Sequence, residues 1–222
     1  MNLKIIQTSD GSDTIYNSEL NETYHSLHGS MNESDLVYIK NGIDYYLGKK
    51  RKKNIRILEI GFGTGLNFLL THIFFEKRKE KILYHTLEPF PLPYNIIEKL
   101  NYIKKVGEQY SNIFQLSHST DPGKTIDISD RIEFIKSKVS LEDINLQDKY
   151  DIIFYDAFAP SKQPSIWDKK NLEKIYSHMN EDSILVTYCS SGQFKRDLKL
   201  IGFKLDVLSG PKGKKEMVRA IK

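Results

Sequence analysis

The hydrophobic residues of the chain follow two periods, one typical of buried strands and one typical of helices. Short apolar runs predict strands, which lie in chain order at 55–60, 82–88, 132–135, 151–156, 183–188, 203–208 and 216–221. Apolar residues three and four positions apart predict helices, which lie at 66–74, 96–103, 172–179 and 194–201. Residues 107–131 have no clear period, and the sequence "DPG" at 121–123 predicts a turn there.

This alternation predicts an α/β fold with a Rossmann-like, doubly wound and mostly parallel sheet that helices cover on both faces. The last two strands are separated only by "SGPKGKK" at 209–215, which is too short for a crossover helix. We therefore expect an antiparallel hairpin that puts one antiparallel strand into the sheet. Residues 1–50 precede the first strand, and we expect an N-terminal extension packed on a main domain formed by residues 51–222.

A glycine-rich turn follows the first strand of this unit, in "LEIGFGTGLNFLL" at 58–70. Gly61, Gly63 and Gly65 allow the backbone to turn sharply and to approach a ligand, while the next helix directs free N–H groups at the same place. A dinucleotide-binding turn would require glycine at position 66, where this chain has leucine. The turn therefore favours a ligand without a pyrophosphate, such as S-adenosylmethionine, and the alternative is a tight turn with no chemical role.

Two carboxylates accompany the glycine turn. Glu59 lies in the strand before it and is a candidate partner for the ammonium group of the cofactor's amino-acid part. Glu88 ends the second strand, where doubly wound folds hold ribose hydroxyls with an acid. Together these features predict a site for an adenosine-containing cofactor, to which Phe62 and Asn67 in and after the turn are also assigned.

The stretch "IIFYDAFAPSKQPSIWD" at 152–168 contains the candidate catalytic group. Asp156 ends a buried strand, and its carboxylate faces the cofactor if that strand lies beside the strand that precedes the glycine turn. A carboxylate there can orient an amine and assist its deprotonation. Phe158 could pack against the substrate or a cationic sulfonium, and Lys162 and Trp167 are further candidate substrate contacts. A capping or turn role for Asp156 and a core position for Trp167 are the alternatives.

Composition narrows the class of protein. The 222 residues include 39% hydrophobic and 28% charged residues, which is ordinary for a globular protein. No apolar run approaches the roughly 20 residues that span a bilayer, and the N-terminus lacks an export signal, so we expect a cytoplasmic protein without a membrane partner. One cysteine excludes an intrachain disulfide, and no Cys/His spacing resembles a metal site.

The formal net charge of +4 is unevenly distributed. Residues 195–222 carry nine Lys and Arg against three acids, and "KKRKK" fills positions 49–53. Basic clusters attract phosphate backbones independently of sequence, although lysine runs are also common on solvated surfaces. Charge alone therefore leaves nucleic-acid contact open.

Several motifs together carry a resemblance to a known family, and they are "LEIGFGTGLNFL", "LEPFPL", "YDAFAPSKQPSIW", "GPKGKKEM" and the N-terminal segment 10–42. Over nearly its whole length the chain resembles the methyltransferase domains of the bacterial MnmC and MnmD family. The resemblance implies a class I S-adenosylmethionine-dependent methyltransferase fold. It also implies methyl transfer to the 5-aminomethyl amine of (2-thio)uridine at the tRNA wobble position, which gives 5-methylaminomethyl-(2-thio)uridine.

By position, the resemblance implies that Asp156 engages the substrate amine, while the cofactor site is formed by Glu59, Gly61, Gly63, Gly65 and Glu88. With the anticodon region of tRNA as partner, Lys212, Lys214 and Lys215 would meet phosphates around a flipped base, and the run at 49–53 could extend that contact.

Two departures from the family pattern change the expectations. The flavin-dependent oxidase domain found in MnmC is not part of this sequence, so we expect a separate enzyme to supply the 5-aminomethyl precursor. The family also has an acid after the third strand, where adenine is held, but this chain has "FIKSKVSLED" at 134–143. Ser137 is a possible substitute there, whereas Glu142 and Asp143 lie further along the chain.

Two other functions remain open on the sequence. A methyltransferase or aminopropyltransferase that acts on a free small amine would explain the glycine turn and Asp156 but not the basic hairpin. A non-catalytic RNA-binding module would explain the basic hairpin but not the cofactor motifs.

Overall fold

The computed structural model describes residues 2–222 and begins with a small antiparallel sheet. Its strands are β1 (Leu3–Gln7), β2 (Asp13–Asn17) and β3 (Glu22–Thr23). A continuous helical segment follows, made of α1 (Ser30–Ser34), a π-helix (Asp35–Asp44) and α2 (Tyr45–Lys49).

The remaining strands form one eight-stranded sheet. They are β4 (Asn54–Ile60), β5 (Lys81–Leu87), β6 (Thr125–Ser129), β7 (Ile132–Ser137), β8 (Tyr150–Tyr155), β9 (Met179–Thr187), β10 (Lys204–Ser209) and β11 (Glu216–Ile221). Their spatial order is β10-β11-β9-β8-β4-β5-β7-β6. Strands β7, β5, β4, β8 and β9 pair in parallel, whereas β11 is antiparallel to both of its neighbours and β6 is antiparallel to β7.

Helices connect these strands. They are α3 (Leu66–Phe75), α4 (Tyr94–Ile97), α5 (Tyr102–Val106), α6 (Ser111–Ser119), α7 (Lys169–Ser177) and α8 (Gly192–Ile201), with 3₁₀ turns at Glu108–Tyr110 and Pro164–Trp167. The α8 helix is capped by Ser191, whose Oγ accepts a hydrogen bond from the Phe194 N–H, and it ends at Gly202 with φ of 116°. No helix within residues 2–222 combines the length and apolarity needed to cross a bilayer.

The predicted α/β fold with a mostly parallel sheet is confirmed, as is the closing antiparallel hairpin. The prediction of a single antiparallel strand was wrong, because β6 also runs against the parallel strands at the other edge. The alternation of Ile126 and Ile128 with polar residues in β6 is typical of a half-buried strand, and the sequence interpretation missed this short signal within 107–131. The predicted turn at 121–123 is present, and Met179 begins a strand instead of ending a helix.

The single helix predicted at 96–103 was also wrong, because α4 ends at Ile97 and α5 begins at Tyr102. Asn101 lies in the break and pairs with Asp13 of β2. Its backbone N–H donates to Asp13 Oδ2 at 3.0 Å, and its Oδ1 accepts from the Asp13 N–H at 2.9 Å. These side-chain bonds compete with the helical pattern and tie the segment to the N-terminal sheet.

The N-terminal segment shares a hydrophobic core with one face of the large sheet. Val37, Tyr38 and Ile43 of the π-helix are buried in the same cluster as Ile57 of β4 and Phe154 of β8. The π-helix is therefore fixed against the central strands. The predicted division into an extension of residues 1–50 and a main domain of residues 51–222 stays a prediction.

Candidate active site

A cavity of about 660 Å³ lies at the carboxyl ends of the central strands, within the volume range of small-molecule sites. Strand β4 lies between β5 and β8, so the chain reverses its winding direction there, and doubly wound sheets bind ligands at such a point. The cavity wall includes residues 60–64 after β4, 87–90 after β5, 156–159 after β8, and 22–28 of the N-terminal segment. Both the sheet and the N-terminal segment thus contribute to the site.

The glycine turn packs closely against the end of β8. Gly61 has φ of 92°, and a Cβ built on it would lie 2.5 Å from the carbonyl oxygen of Asp156. Gly65, with φ of 73°, precedes α3, and a Cβ there would lie 2.6 Å from His118 Nε2. Both positions therefore require glycine for backbone conformation and for space. Phe62 also lies on the cavity wall and packs on the His118 ring, with ring centroids 4.9 Å apart.

Glu88 holds the glycine turn from the end of β5. Its Oε2 accepts from the Gly63 N–H at 2.9 Å and its Oε1 accepts from the Phe90 N–H at 2.9 Å. The carboxylate lines the cavity, and burial raises its pKa. Each carboxylate oxygen has two lone pairs, so Glu88 can still accept hydrogen bonds from ligand hydroxyls.

The structure places Glu59 beneath the turn, where it is fully buried, and not on the cavity wall. Its Oε1 accepts from Asn67 Nδ2 at 3.1 Å and its Oε2 accepts from Thr86 Oγ1 at 2.8 Å. Burial raises the pKa of Glu59 to about 8, so the group is mostly protonated at neutral pH. Glu59 therefore does not reach the cavity wall, and its predicted pairing with a cofactor ammonium stays a prediction. Asn67, which is also buried, joins Glu59 to Asp156 through its side-chain amide.

Asp156 lies on the cavity wall directly after β8. Strand β8 pairs with β4 as expected, and the Asp156 N–H donates to the Ile60 carbonyl at 2.9 Å. Asp156 Oδ1 accepts from the Tyr38 hydroxyl at 2.5 Å, and Oδ2 accepts from Asn67 Nδ2 at 2.7 Å. Desolvation raises the pKa of Asp156 to about 7 despite both hydrogen bonds. The carboxylate can thus exchange a proton near neutral pH, and it caps no helix.

The loop after Asp156 is fixed by its own side chains. Phe158 lines the cavity and meets the Tyr24 ring edge-on, with centroids 4.8 Å apart. The Phe158 N–H donates to Gln163 Oε1 at 3.0 Å, and its carbonyl accepts from Trp167 Nε1 at 2.8 Å. Trp167 is buried in the core and supports Phe158 from behind, which favours the alternative of a core position, and its predicted substrate contact stays a prediction. Lys162 lines a neighbouring groove, outside the main cavity.

The predicted basic surface divides into separate parts. Lys212 and Lys215 are exposed on the hairpin loop, whereas Lys214 lines the cavity, where its Nζ lies 2.7 Å from Glu33 Oε2. Lys214 is therefore paired within the cavity, and its predicted phosphate contact stays a prediction. The run at 49–53 precedes β4, whose seven residues separate it by about 20 Å from the cavity end of the sheet. It therefore forms a basic surface apart from the hairpin, and its contact with tRNA stays a prediction.

Most of the residues that the sequence interpretation missed come from the N-terminal segment. Tyr24, His25 and Glu33 line the cavity together with Tyr188, while Tyr38 reaches Asp156 from the π-helix. His25 Nε2 lies 2.7 Å from Thr64 Oγ1, and burial lowers its pKa to about 4, which keeps the ring neutral. The segment has no clear hydrophobic period, so the sequence gives no signal that these side chains converge.

The cavity wall beyond β7 is apolar. Val139 and Leu141 line it, whereas Ser137 lies outside the wall with its hydroxyl 2.9 Å from His85 Nε2. Glu142 lines the neighbouring groove. None of the candidate polar substitutes therefore reaches this part of the cavity. Within residues 2–222 there is no cluster of three or more His, Cys, Asp or Glu that could hold a metal ion.

Several known proteins are similar to this chain. Residues 97–222 match a family described as S-adenosyl-L-methionine-dependent methyltransferase. The "tRNA 5-methylaminomethyl-2-thiouridine biosynthesis bifunctional protein MnmC" of Leptospira interrogans is 32% identical over 221 residues, which cover 92% of this chain and 33% of the relative. The protein of the same name from Idiomarina loihiensis is 29% identical, over 89% of this chain and 35% of that relative. The chain thus spans about a third of the length of these relatives.

A solved structure described as MnmC2 from Aquifex aeolicus superimposes with a TM-score of 0.79 at 25% sequence identity. The match covers 99% of this chain and 69% of that one. These findings confirm the resemblance, the methyltransferase fold and the cofactor predicted from the sequence.

Proposed function

We propose that this chain, which belongs to the family of S-adenosyl-L-methionine-dependent methyltransferases, methylates the 5-aminomethyl amine of (2-thio)uridine at the tRNA wobble position. The product is 5-methylaminomethyl-(2-thio)uridine. The names of the relatives support this choice of substrate, as does the correspondence of the glycine turn and the Asp156 loop to the family motifs. The observation that carries the proposal is Asp156 on the cavity wall, whose backbone packs against Gly61 of the glycine turn and whose carboxyl group has a pKa of about 7.

The residues around the glycine turn fit S-adenosylmethionine. Gly61 and Gly63 bring the backbone to the cavity without side chains, Glu88 can accept from ribose hydroxyls, and Val139 and Leu141 offer an apolar wall for a purine. Bound there, S-adenosylmethionine supplies an electrophilic methyl group on its sulfonium. The remaining work of the site is to hold the amine in line with that group and to remove its proton.

We assign the deprotonation of the substrate amine to Asp156. A primary amine is largely protonated at neutral pH and must lose a proton before its nitrogen has a free lone pair. The Asp156 carboxylate, held by Tyr38 and Asn67, can accept a hydrogen bond from the ammonium, take its proton and pass it to water. Phe158 and Tyr188 provide aromatic faces in the same cavity, against which a planar base can stack.

The proposal also includes a partner, a location and a source of the substrate. The anticodon region of tRNA is the partner, with the exposed Lys212 and Lys215 near its phosphates, and we expect the protein in the cytoplasm. A separate enzyme supplies the 5-aminomethyl precursor. Residues 1–50 act as an extension that completes the substrate side of a main domain formed by residues 51–222.

The test is methyl transfer from labelled S-adenosylmethionine to tRNA that carries 5-aminomethyl-2-thiouridine, with unmodified tRNA as the control. We expect transfer only to the modified tRNA. Asp156→Asn should lower the rate by about 10²- to 10⁴-fold, the usual contribution of a general base, while calorimetry shows unchanged cofactor binding. Transfer to free polyamines but not to tRNA would favour a small-amine transferase instead.

A further inference from the structure

Lys214 and Glu33 form an ion pair inside the cavity. Lys214 comes from the loop between β10 and β11 and Glu33 from α1, and both side chains line the wall. The Glu33 side chain is only 6% exposed, and Lys214 Nζ also lies 3.6 Å from the centroid of the Tyr188 ring. A carboxylate buried to this degree is a poor source of stability because its desolvation offsets most of the attraction. Because both residues line a ligand cavity, the ion pair is better explained by a role in binding.

The pair presents a donor beside an acceptor. Glu33 Oε1 accepts from the Ser26 N–H at 3.0 Å and Oε2 accepts from Lys214 at 2.7 Å, which leaves one lone pair on each oxygen. Lys214 has three N–H donors, of which Glu33 uses one and the Tyr188 ring faces another. A ligand with an acceptor next to a donor would complement this arrangement.

Tyr188 links the pair to the reacting end of the site. Its hydroxyl donates to the Ala157 carbonyl at 2.8 Å, directly after Asp156. The charges of Glu33 and Lys214 are close enough to act on Asp156, the first raising and the second lowering its pKa. The pair and Asp156 therefore face neighbouring parts of one ligand.

We infer that Lys214 and Glu33 select the uracil ring of the substrate, an inference that rests on the proposed function. Lys214 Nζ donates to O4, Glu33 accepts from N3–H, and Asp156 engages the amine on C5. This order follows the ring, because C5, C4 and N3 are consecutive atoms. A cytosine ring would present an amino donor to Lys214 and a bare nitrogen acceptor to Glu33, so both contacts would be mismatched.

The experiment compares two anticodon stem-loops, one with 5-aminomethyluridine and one with 5-aminomethylcytidine at the same position. Wild type should prefer the uridine form by about 10- to 100-fold in kcat/KM, the discrimination typical of a paired donor and acceptor. The double variant Lys214→Met/Glu33→Gln removes both charges together, so it leaves neither one buried without a partner. It should lower kcat/KM for the uridine form and bring the ratio of the two substrates close to one.

Lys215→Ala is the matched control, because this neighbouring lysine is exposed on the same loop, and its uridine-to-cytidine ratio should equal that of wild type. Calorimetry with S-adenosylmethionine and a thermal melt check that the double variant is folded. If the double variant is not folded, Lys214→Arg keeps the ion pair but changes the donor geometry. It should bring the uridine-to-cytidine ratio of kcat/KM closer to one.

The outcomes separate this inference from the proposed function. If wild type fails to methylate the uridine stem-loop, the proposed function itself is overturned. If wild type methylates it but the folded variant keeps the wild-type ratio, the selection by Lys214 and Glu33 is overturned. A variant that changes only the salt dependence of RNA binding would also overturn it, because that result assigns Lys214 to a phosphate.

Discussion

The hydrogen bond from Tyr38 to Asp156 allows a quantitative prediction for the variant Tyr38→Phe. The tyrosine hydroxyl donates to Asp156 Oδ1 at 2.5 Å and favours the charged form of the carboxylate. A hydrogen bond to a charged group contributes about 1.5–3 kcal/mol, and one pKa unit corresponds to about 1.4 kcal/mol. Loss of the hydroxyl should therefore raise the pKa of Asp156 by about 1–2 units from its value of about 7.

The assay is the pH dependence of kcat/KM for the modified tRNA. If the basic form of Asp156 is required, activity rises with pH through its pKa, and in Tyr38→Phe this rise should lie about 1–2 units higher. At pH 7 the variant should then be about 5- to 50-fold slower than wild type, with most of the rate recovered well above pH 9. Tyr46→Phe is the matched control, because this tyrosine in α2 donates to Asp151 at 3.3 Å and not to the site.

A uniform loss of rate at every pH would refute the reasoning, since it would mean that Tyr38 does not set the proton affinity of Asp156. The substrate amine also titrates in this assay. However, kcat/KM reports the free enzyme and the free substrate, and the substrate is the same for both enzymes. A shift between the two profiles therefore belongs to a group of the protein.

Three further predictions concern the fold, the glycine turn and the hairpin. Wild type should lose up to about 3–5 kcal/mol of unfolding free energy as pH rises from about 4.5 to about 8, because folded Glu59 keeps its proton in a range where the unfolded chain has lost it. Glu59→Gln cannot ionise and should not show this loss when urea unfolding is measured at pH 5 and 8.5. Gly61→Ala should be more destabilising than Gly123→Ala by at least about 2 kcal/mol. Both have positive φ, but nothing within residues 2–222 lies within 4 Å of a Cβ at Gly123, and equal losses would contradict the close packing at Gly61. Lys212→Ala/Lys215→Ala should reduce the salt slope of tRNA binding by about 1.4–1.8 without changing cofactor affinity, and an unchanged slope would place the phosphates elsewhere.

The sequence predicts the sheet and the cofactor side of the site because both follow from local patterns. Buried strands have short apolar runs, and in a doubly wound sheet the residues that end them, such as Glu88 and Asp156, meet at one edge. The substrate side has no such pattern. Glu33 and Lys214 are 181 positions apart and pair only through the tertiary fold. The raised pKa of Glu59 results from burial, and a local sequence pattern does not show burial of this kind.

The site is built from two parts of the chain, the central strands and the N-terminal segment. The central strands place the glycine turn, Glu88 and Asp156, which is what a cofactor and a proton transfer require. Of the residues that hold Asp156 or that we propose to face the ring, Tyr38 comes from the π-helix and Glu33 from α1. Tyr38 is packed between core residues and not carried on a free loop. A side chain on a packed helix is held more precisely than one on a loop. Because Val37 and Ile43 fix this helix on the sheet, the geometry at Asp156 depends on the hydrophobic core that joins the N-terminal segment to the central strands.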